Sequence, residues 1–157
     1  MDFVADVYQL TQDFLNDYPK TSYPELMYKL GRPYSCLLID TYLDYYICIP
    51  FRSHINHNNA FMFRGTQRSM RSKSGLDYTK MVLVNKDIYI DNKKVVVDQD
   101  EYNEMQKHLL QIVTESVAYL EKYSNHVTGK KMMHPREFVR NYQYSTLMYF
   151  HDVLGIE

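Results

Sequence analysis

The stretch "PYSCLLIDTYLDYYICIPF", residues 33–51, limits the fold more than any other. Two runs rich in leucine, isoleucine, tyrosine and cysteine flank a short polar turn near Thr41 to Asp44. Apolar runs of this length bounded by turn residues read as buried strands. A turn this short returns the second strand antiparallel to the first. Pro50 has no N–H to give a ladder and marks the exit from the second strand. Cys36 and Cys48 fall inside the two runs and are expected to be reduced, buried fillers, because two thiols make no disulfide framework.

Around this hairpin the pattern predicts helices and more strands. Phe3, Val7, Leu10 and Phe14 recur at helical spacing, and Asp17, Tyr18 and Pro19 would end that helix. "TSYPELMYKLG" predicts a short helix with Pro24 in its first turn and Gly31 after its end. Residues 52–75 form a long polar loop, a length that is uncommon unless functional or disordered. "LDYTKMVLV" reads as a buried strand, and "DIYIDNKKVVVD" as a hairpin turning at Asp91 to Lys93. Asp98 and Glu101 resemble a capping box opening a long helix to about Ser124. Met105, Leu109, Ile112, Ser116 and Leu120 lie near its apolar face. Gly129 breaks the chain, and Pro135 starts a last helix carrying Phe138, Tyr142, Thr146, Tyr149, Phe150 and Val153. The expected architecture is one α+β domain over residues 1–157: a small, mostly antiparallel sheet with helices before and after it.

With 157 residues, 45% of them hydrophobic, the chain can fill a core of ordinary size. Sixteen tyrosines stand against no tryptophan. Their simplest use is packing with the hydroxyl at the rim, although tyrosine also stacks on bases. The N-terminus carries Asp2 and Asp6 and no basic region, so no signal peptide is expected. No apolar run approaches a bilayer span. A cytoplasmic location is the expectation.

Chemistry concentrates in the loop. From Tyr45 through Leu76 there is no Asp or Glu, while Arg52, Arg64, Arg68, Arg71 and Lys73 give a formal +5 within a chain of net −1. Such segregation concentrates phosphates, and arginine's planar fork pairs with their oxygens. His54 and His57 raise the question of a metal. A zinc hydrolase normally adds a carboxylate or a third histidine, and no acid lies near in sequence. RNA needs no metal to be cut, because its own 2′-hydroxyl can attack the phosphate. An enzyme must then take that proton, neutralise the transition state and protonate the leaving oxygen. Histidine suits the proton transfers and arginine the charge. Arg52, Ser53 and His54 supply these parts in three consecutive residues. In a regular strand Ser53 would face away from the other two, so they converge only if the backbone turns there.

"IPFRSHINHNNAF", followed by "GLDYTKMVLV", resembles the toxins of type III toxin–antitoxin systems, the CptN branch most, with ToxN and AbiQ toxins more distant. The resemblance covers most of the chain and is most specific in "PFRSH" and "GLDYTK". It implies a compact barrel-like sheet related to the MazF and Kid toxins, decorated by helices. It also implies a metal-independent endoribonuclease that leaves a 2′,3′-cyclic phosphate and a 5′-hydroxyl. The implied partner is a repeated pseudoknot RNA antitoxin, cut from its precursor and retained in a closed cyclic assembly; target RNAs are the other partners.

By the resemblance, Ser53 falls at the family's hydroxyl position. More distant members follow it with a lysine where this chain has His54 or His57. Arg52 would supply charge, and Lys80 stands where relatives carry a basic residue. Arg32 or Tyr34 stands at the start of the first strand, where relatives place a basic or polar side chain. Catalysis is thus expected from Arg52, Ser53, His54 and Lys80. RNA binding is expected from Arg32, Tyr34, His57, Arg64, Arg68, Arg71 and Lys73, with neither metal nor small-molecule cofactor. Lys93, Lys94, Lys130, Lys131, Arg136 and Arg140 either extend the RNA surface or are scattered charges. Two other readings stay open: an RNA-binding module without catalysis, and a metal-dependent hydrolase using His54 and His57.

Overall fold

The protein is described by a computed structural model that covers residues 2–93 and 95–157; Lys94 lies outside the described residues. Its first element, β1 (Val4–Leu10), is a strand and not the start of the expected helix. Phe3, Ala5 and Val7 alternate with the exposed Asp2, Val4 and Asp6, while Phe3, Val7 and Leu10 fit a helical period, so local pattern does not decide between the two. The partner does: β1 pairs antiparallel with β2 (Tyr34–Asp40) over seven residues, from Val4↔Asp40 to Leu10↔Tyr34. Helix follows only after Thr11, whose hydroxyl caps α1 (Gln12–Asp17). The helix expected after Pro24 is absent; the chain there runs through turns and buries Leu26.

The hairpin forms as the sequence predicts. β2 pairs antiparallel with β3 (Tyr46–Arg52), from Cys36↔Pro50 to Ile39↔Ile47. The other edge of β3 is shared. Its first residues pair with β6 (Val82–Val84), and Phe51 and Arg52 pair with β5 (Gly75–Asp77). Pro50 falls in the gap between those partners, where no ladder donor is called for. The predicted single strand over 76–84 is therefore two strands, joined by a 3-10 turn at Tyr78–Lys80 that moves the chain between the two positions on β3. The presumed loop also contains structure: β4 (Ala60–Met62), which pairs with β5, and α2 (Gln67–Arg71). The sheet order is β4-β5-β3-β2-β1-β7, with β6 on β3. β7 (Ile90–Asp91) pairs with β1, and the expected second arm of its hairpin is no strand among the described residues. Every pairing is antiparallel, and the sheet curves as a half-barrel within an α+β architecture.

Helices cover this sheet. The predicted long helix is two, α3 (Gln99–Lys107) and α4 (Leu109–Val127), broken at His108. Asp98 occupies the N-cap of α3 but makes no capping hydrogen bond. α5 (Pro135–Tyr142) ends earlier than expected, and Ser145 caps a separate 3-10 turn over Thr146–Tyr149. Met105, Ile112, Val113, Leu120, Leu147 and Phe150 join the strand residues in one buried cluster. Cys36 and Cys48 are buried in it as free thiols.

The tyrosines are largely spent on packing. Tyr142 stacks on Tyr119 at 4.5 Å and on Tyr123 at 5.4 Å between ring centres. The Tyr142 hydroxyl donates to the Tyr119 carbonyl, and the Tyr119 hydroxyl to the Asn141 carbonyl, both at 2.8 Å. These bonds lock the end of α5 onto α4. A second group, Phe14, Tyr18, Tyr23, Tyr89 and Tyr149, packs ring to ring beside α1. No helix is long and apolar enough to cross a membrane among the described residues.

Close approach of β4 to β5 requires Gly75. A β-carbon there would lie 2.0 Å from the Phe61 carbonyl oxygen, a backbone atom that cannot swing aside. Gly75→Ala is expected to cost at least ~2 kcal/mol, within the usual range for overpacking. Urea unfolding of the variant measures this, and an unchanged midpoint would mean that β4 does not pack as described.

Candidate active site

The end of β3 leads directly into the site. Beyond Arg52 the chain must turn, because Ile55 is buried and its N–H donates to the Lys73 carbonyl at 2.8 Å. His54 makes the turn, with φ at +58°. A residue with a β-carbon holds this left-handed conformation at a cost of roughly 1–2 kcal/mol. The strand's alternation ends there, and Arg52, Ser53 and His54 line one hollow of about 310 Å³. Lys29, Arg32 and Arg68 line it as well, opposite Asp98 and Glu101.

Arg52 is held in place by Asp77, which is fully buried. One Asp77 oxygen accepts from the Arg52 guanidinium at 2.6 Å and faces His57 Nε2 at 3.1 Å. The other accepts from the Thr79 N–H at 2.9 Å and the Thr79 hydroxyl at 2.6 Å. Burial pushes the Asp77 carboxyl up, but the hydrogen bonds of His57, Thr79 and Arg52 outweigh it and hold the group below its usual range. The Asn59 N–H donates to His57 Nδ1 at 3.1 Å. An ionised Asp77 only accepts, so Nε2 carries the ring proton and both nitrogens are engaged. His57 is a structural donor here and not a free base.

Lys80 lies apart from Ser53 and His54. It belongs to the 3-10 turn, is buried, and donates to Glu25 at 2.6 Å and to the Tyr144 carbonyl at 2.8 Å. With Arg52, His57, Asn59, Asn141 and Tyr144 it lines a second hollow of about 290 Å³. Arg52 borders both hollows; the expected catalytic set is thus divided between two adjoining spaces.

The other expected RNA contacts are scattered more widely. Arg32 and Arg68 face the first hollow and His57 the second. Arg64, Arg71 and Lys73 are exposed and line neither. Tyr34 is a correction: it sits in the core, 5% exposed, with its hydroxyl accepting the Met27 N–H, so its ring packs and cannot meet a base. His54 lines the first hollow and His57 the second, and among the described residues no group of three His, Cys, Asp or Glu is arranged to hold a metal ion.

Several residues of the site carry no local sequence signal. Asp77 is the first acid after the acid-free run, and only the β3–β5 pairing brings it to Arg52. The acids of α3 also turn toward the basic segment. Asp98 pairs with Arg68 at 3.0 Å, Asp100 accepts the Gln67 N–H, and Glu104 accepts the Arg64 and Gly65 N–H groups. Glu101 is buried at the edge of the first hollow, and burial pushes its carboxyl up against the opposing pull of Arg68.

Two outcomes follow from this geometry. His54→Gly should be more stable than His54→Ala by about 1 kcal/mol, because glycine alone adopts the left-handed backbone freely; the reverse order in thermal unfolding would contradict the turn. Asp77, depressed in the folded state, stabilises the protein fully above its unfolded value of about 3.8, and that share is lost as pH falls through the lower folded value. Asp77→Asn should flatten this acid limb of the urea-midpoint profile, and an unaltered limb would place the acid sensitivity elsewhere. No family model, curated protein or solved structure matches the chain.

Proposed function

We propose that the protein is a metal-independent endoribonuclease of the type III toxin class, with a MazF/Kid-like core, held in check by a repeat-derived pseudoknot RNA in a closed cyclic cytoplasmic assembly. The toxin role and its RNA partner rest on the resemblance of "PFRSH" and "GLDYTK". The single observation that supports the chemistry is the shared hollow of Arg52, Ser53 and His54, ringed by Arg32 and Arg68.

In this reading an RNA phosphate occupies that hollow. Arg32 and Arg52 neutralise its oxygens, and the Ser53 hydroxyl orients it. The 2′-oxygen attacks phosphorus and its proton passes to a base. The bond to the 5′-oxygen breaks, and that oxygen takes a proton. The products are a 2′,3′-cyclic phosphate and a 5′-hydroxyl. His54 is exposed and lines the hollow, whereas His57 is tied to Asp77, so His54 handles protons. Glu101 is the other titratable group facing the hollow whose carboxyl is pushed up, as an exchanging partner needs. Lys80, already paired with Glu25, contributes charge and not proton transfer.

The test is RNA cleavage in excess chelator with analysis of the ends. Cyclic phosphate ends are expected, with Ser53→Ala and His54→Ala each slower by ~10²–10⁴. A substrate carrying one 2′-deoxy sugar at the cut site should resist, and cutting there would exclude the mechanism. Intact RNA that still binds would leave an RNA-binding module instead, and chelator-sensitive cutting a metal-dependent hydrolase. Arg52→Ala is uninformative, because it strips a buried carboxylate of a partner and destabilises the fold on its own account.

A further inference from the structure

The second hollow holds none of the reacting atoms of the reaction just described, although Arg52 is its shared wall with the first. Whatever fills it lies beside whatever the first one holds. Its chemistry differs. Of its cations, Arg52 is anchored on Asp77 and Lys80 is held by Glu25 and the Tyr144 carbonyl, which leaves Arg140 exposed at the lining. The Glu25 carboxylate, paired with Lys80, lines the space as well.

Beside Arg140 the open groups are neutral: the amides of Asn56, Asn59 and Asn141, and the ring of Tyr144, which is 63% exposed. Asn59 Nδ2 donates to Asn141 Oδ1 at 3.1 Å. That bond leaves the side-chain oxygen Oδ1 of Asn59 and the side-chain Nδ2 of Asn141, an acceptor and a donor, for a ligand. Such a pair complements the edge of a nucleobase, and an exposed tyrosine ring offers a surface on which a base stacks. The frame is rigid. The backbone carbonyl of Asn59 accepts the Tyr78 N–H at 3.1 Å, and the backbone carbonyl of Asn141 accepts the Tyr119 hydroxyl.

We propose that this hollow receives an unstacked nucleobase of the RNA strand whose phosphate occupies the first hollow, so that Asn59, Asn141 and Tyr144 select the nucleotide next to the cut. The assignment rests on the endoribonuclease reading. Arg140, exposed and lining the same hollow, is placed to meet the backbone of the entering nucleotide.

Two measurements test it. Random-sequence single-stranded RNA is cut by the wild type, Tyr144→Ala and Asn141→Ala, and the new ends are sequenced. Tyr144→Ala should lower kcat/KM about 10-fold, in line with the loss of one stacked base. Asn141→Ala should flatten the base preference at one position beside the cut. Tyr144 is exposed, so its variant should keep the wild-type unfolding midpoint. The same proteins are then given a random-sequence 2′-fluoro RNA pool, which has no 2′-hydroxyl and cannot be cut this way, and the retained pool is sequenced. Wild-type enrichment of one base that both variants lose supports the base site, even if no RNA is ever cut. A wild type that cuts RNA with a preference both variants retain overturns the base site and leaves the nuclease standing.

Discussion

A carboxylate with no exposed surface ties the candidate site together. Asp77 sits at the end of β5, and a buried charge costs several kcal/mol unless donors replace its water. Those donors come from three segments: Arg52 on β3, His57 in the loop beyond it, and Thr79 in the following turn. Each is thereby held at a defined place. Arg52 becomes the wall between two hollows, and His57 loses its freedom to move protons. Taking away one donor leaves a charge the others satisfy poorly, so the cluster acts as a unit.

The acid-free segment meets its counter-charge in space. α3 presents Asp98, Asp100 and Glu104 to it, and Asp98 forgoes its expected cap to pair with Arg68. Acids in a first helical turn also suit the helix dipole, so the arrangement serves α3 as well as the loop. The positive field is therefore narrower than the +5 of the isolated run suggests. It is concentrated where Arg32, Arg52, Ser53 and His54 open on one hollow, at a residue whose backbone is strained. Strain of this kind persists only where surrounding structure holds it, and it clusters at sites that do something.

Elements with one dominant period were legible. The β2–β3 hairpin, the apolar face of α4 and the proline start of α5 all stand where pattern puts them. β1 was not, because Phe3, Val7 and Leu10 satisfy a helical period while Phe3, Ala5 and Val7 satisfy a strand's. The break at His108 was hidden too; its ring packs 5.3 Å from Phe61, a residue 47 positions away in β4. The candidate site was legible in part: the run Arg52 to His54, which lines one hollow, stands out by residue type, but Lys80 and Tyr34 pass as surface or ligand residues until their burial is known.

Residue order alone determined the antiparallel hairpin, the α+β class and the acid-free cluster of basic side chains after Pro50, because each depends on neighbours in the chain. Only the tertiary structure decided which cations are paired, which histidine is tied to a carboxylate, and that two hollows share one arginine. Those are matters of burial and pairing between groups 20 or more residues apart, such as His57 with Asp77 and Lys80 with Glu25. Local spacing carries no record of such distances, because folding sets them by the need to satisfy every buried charge.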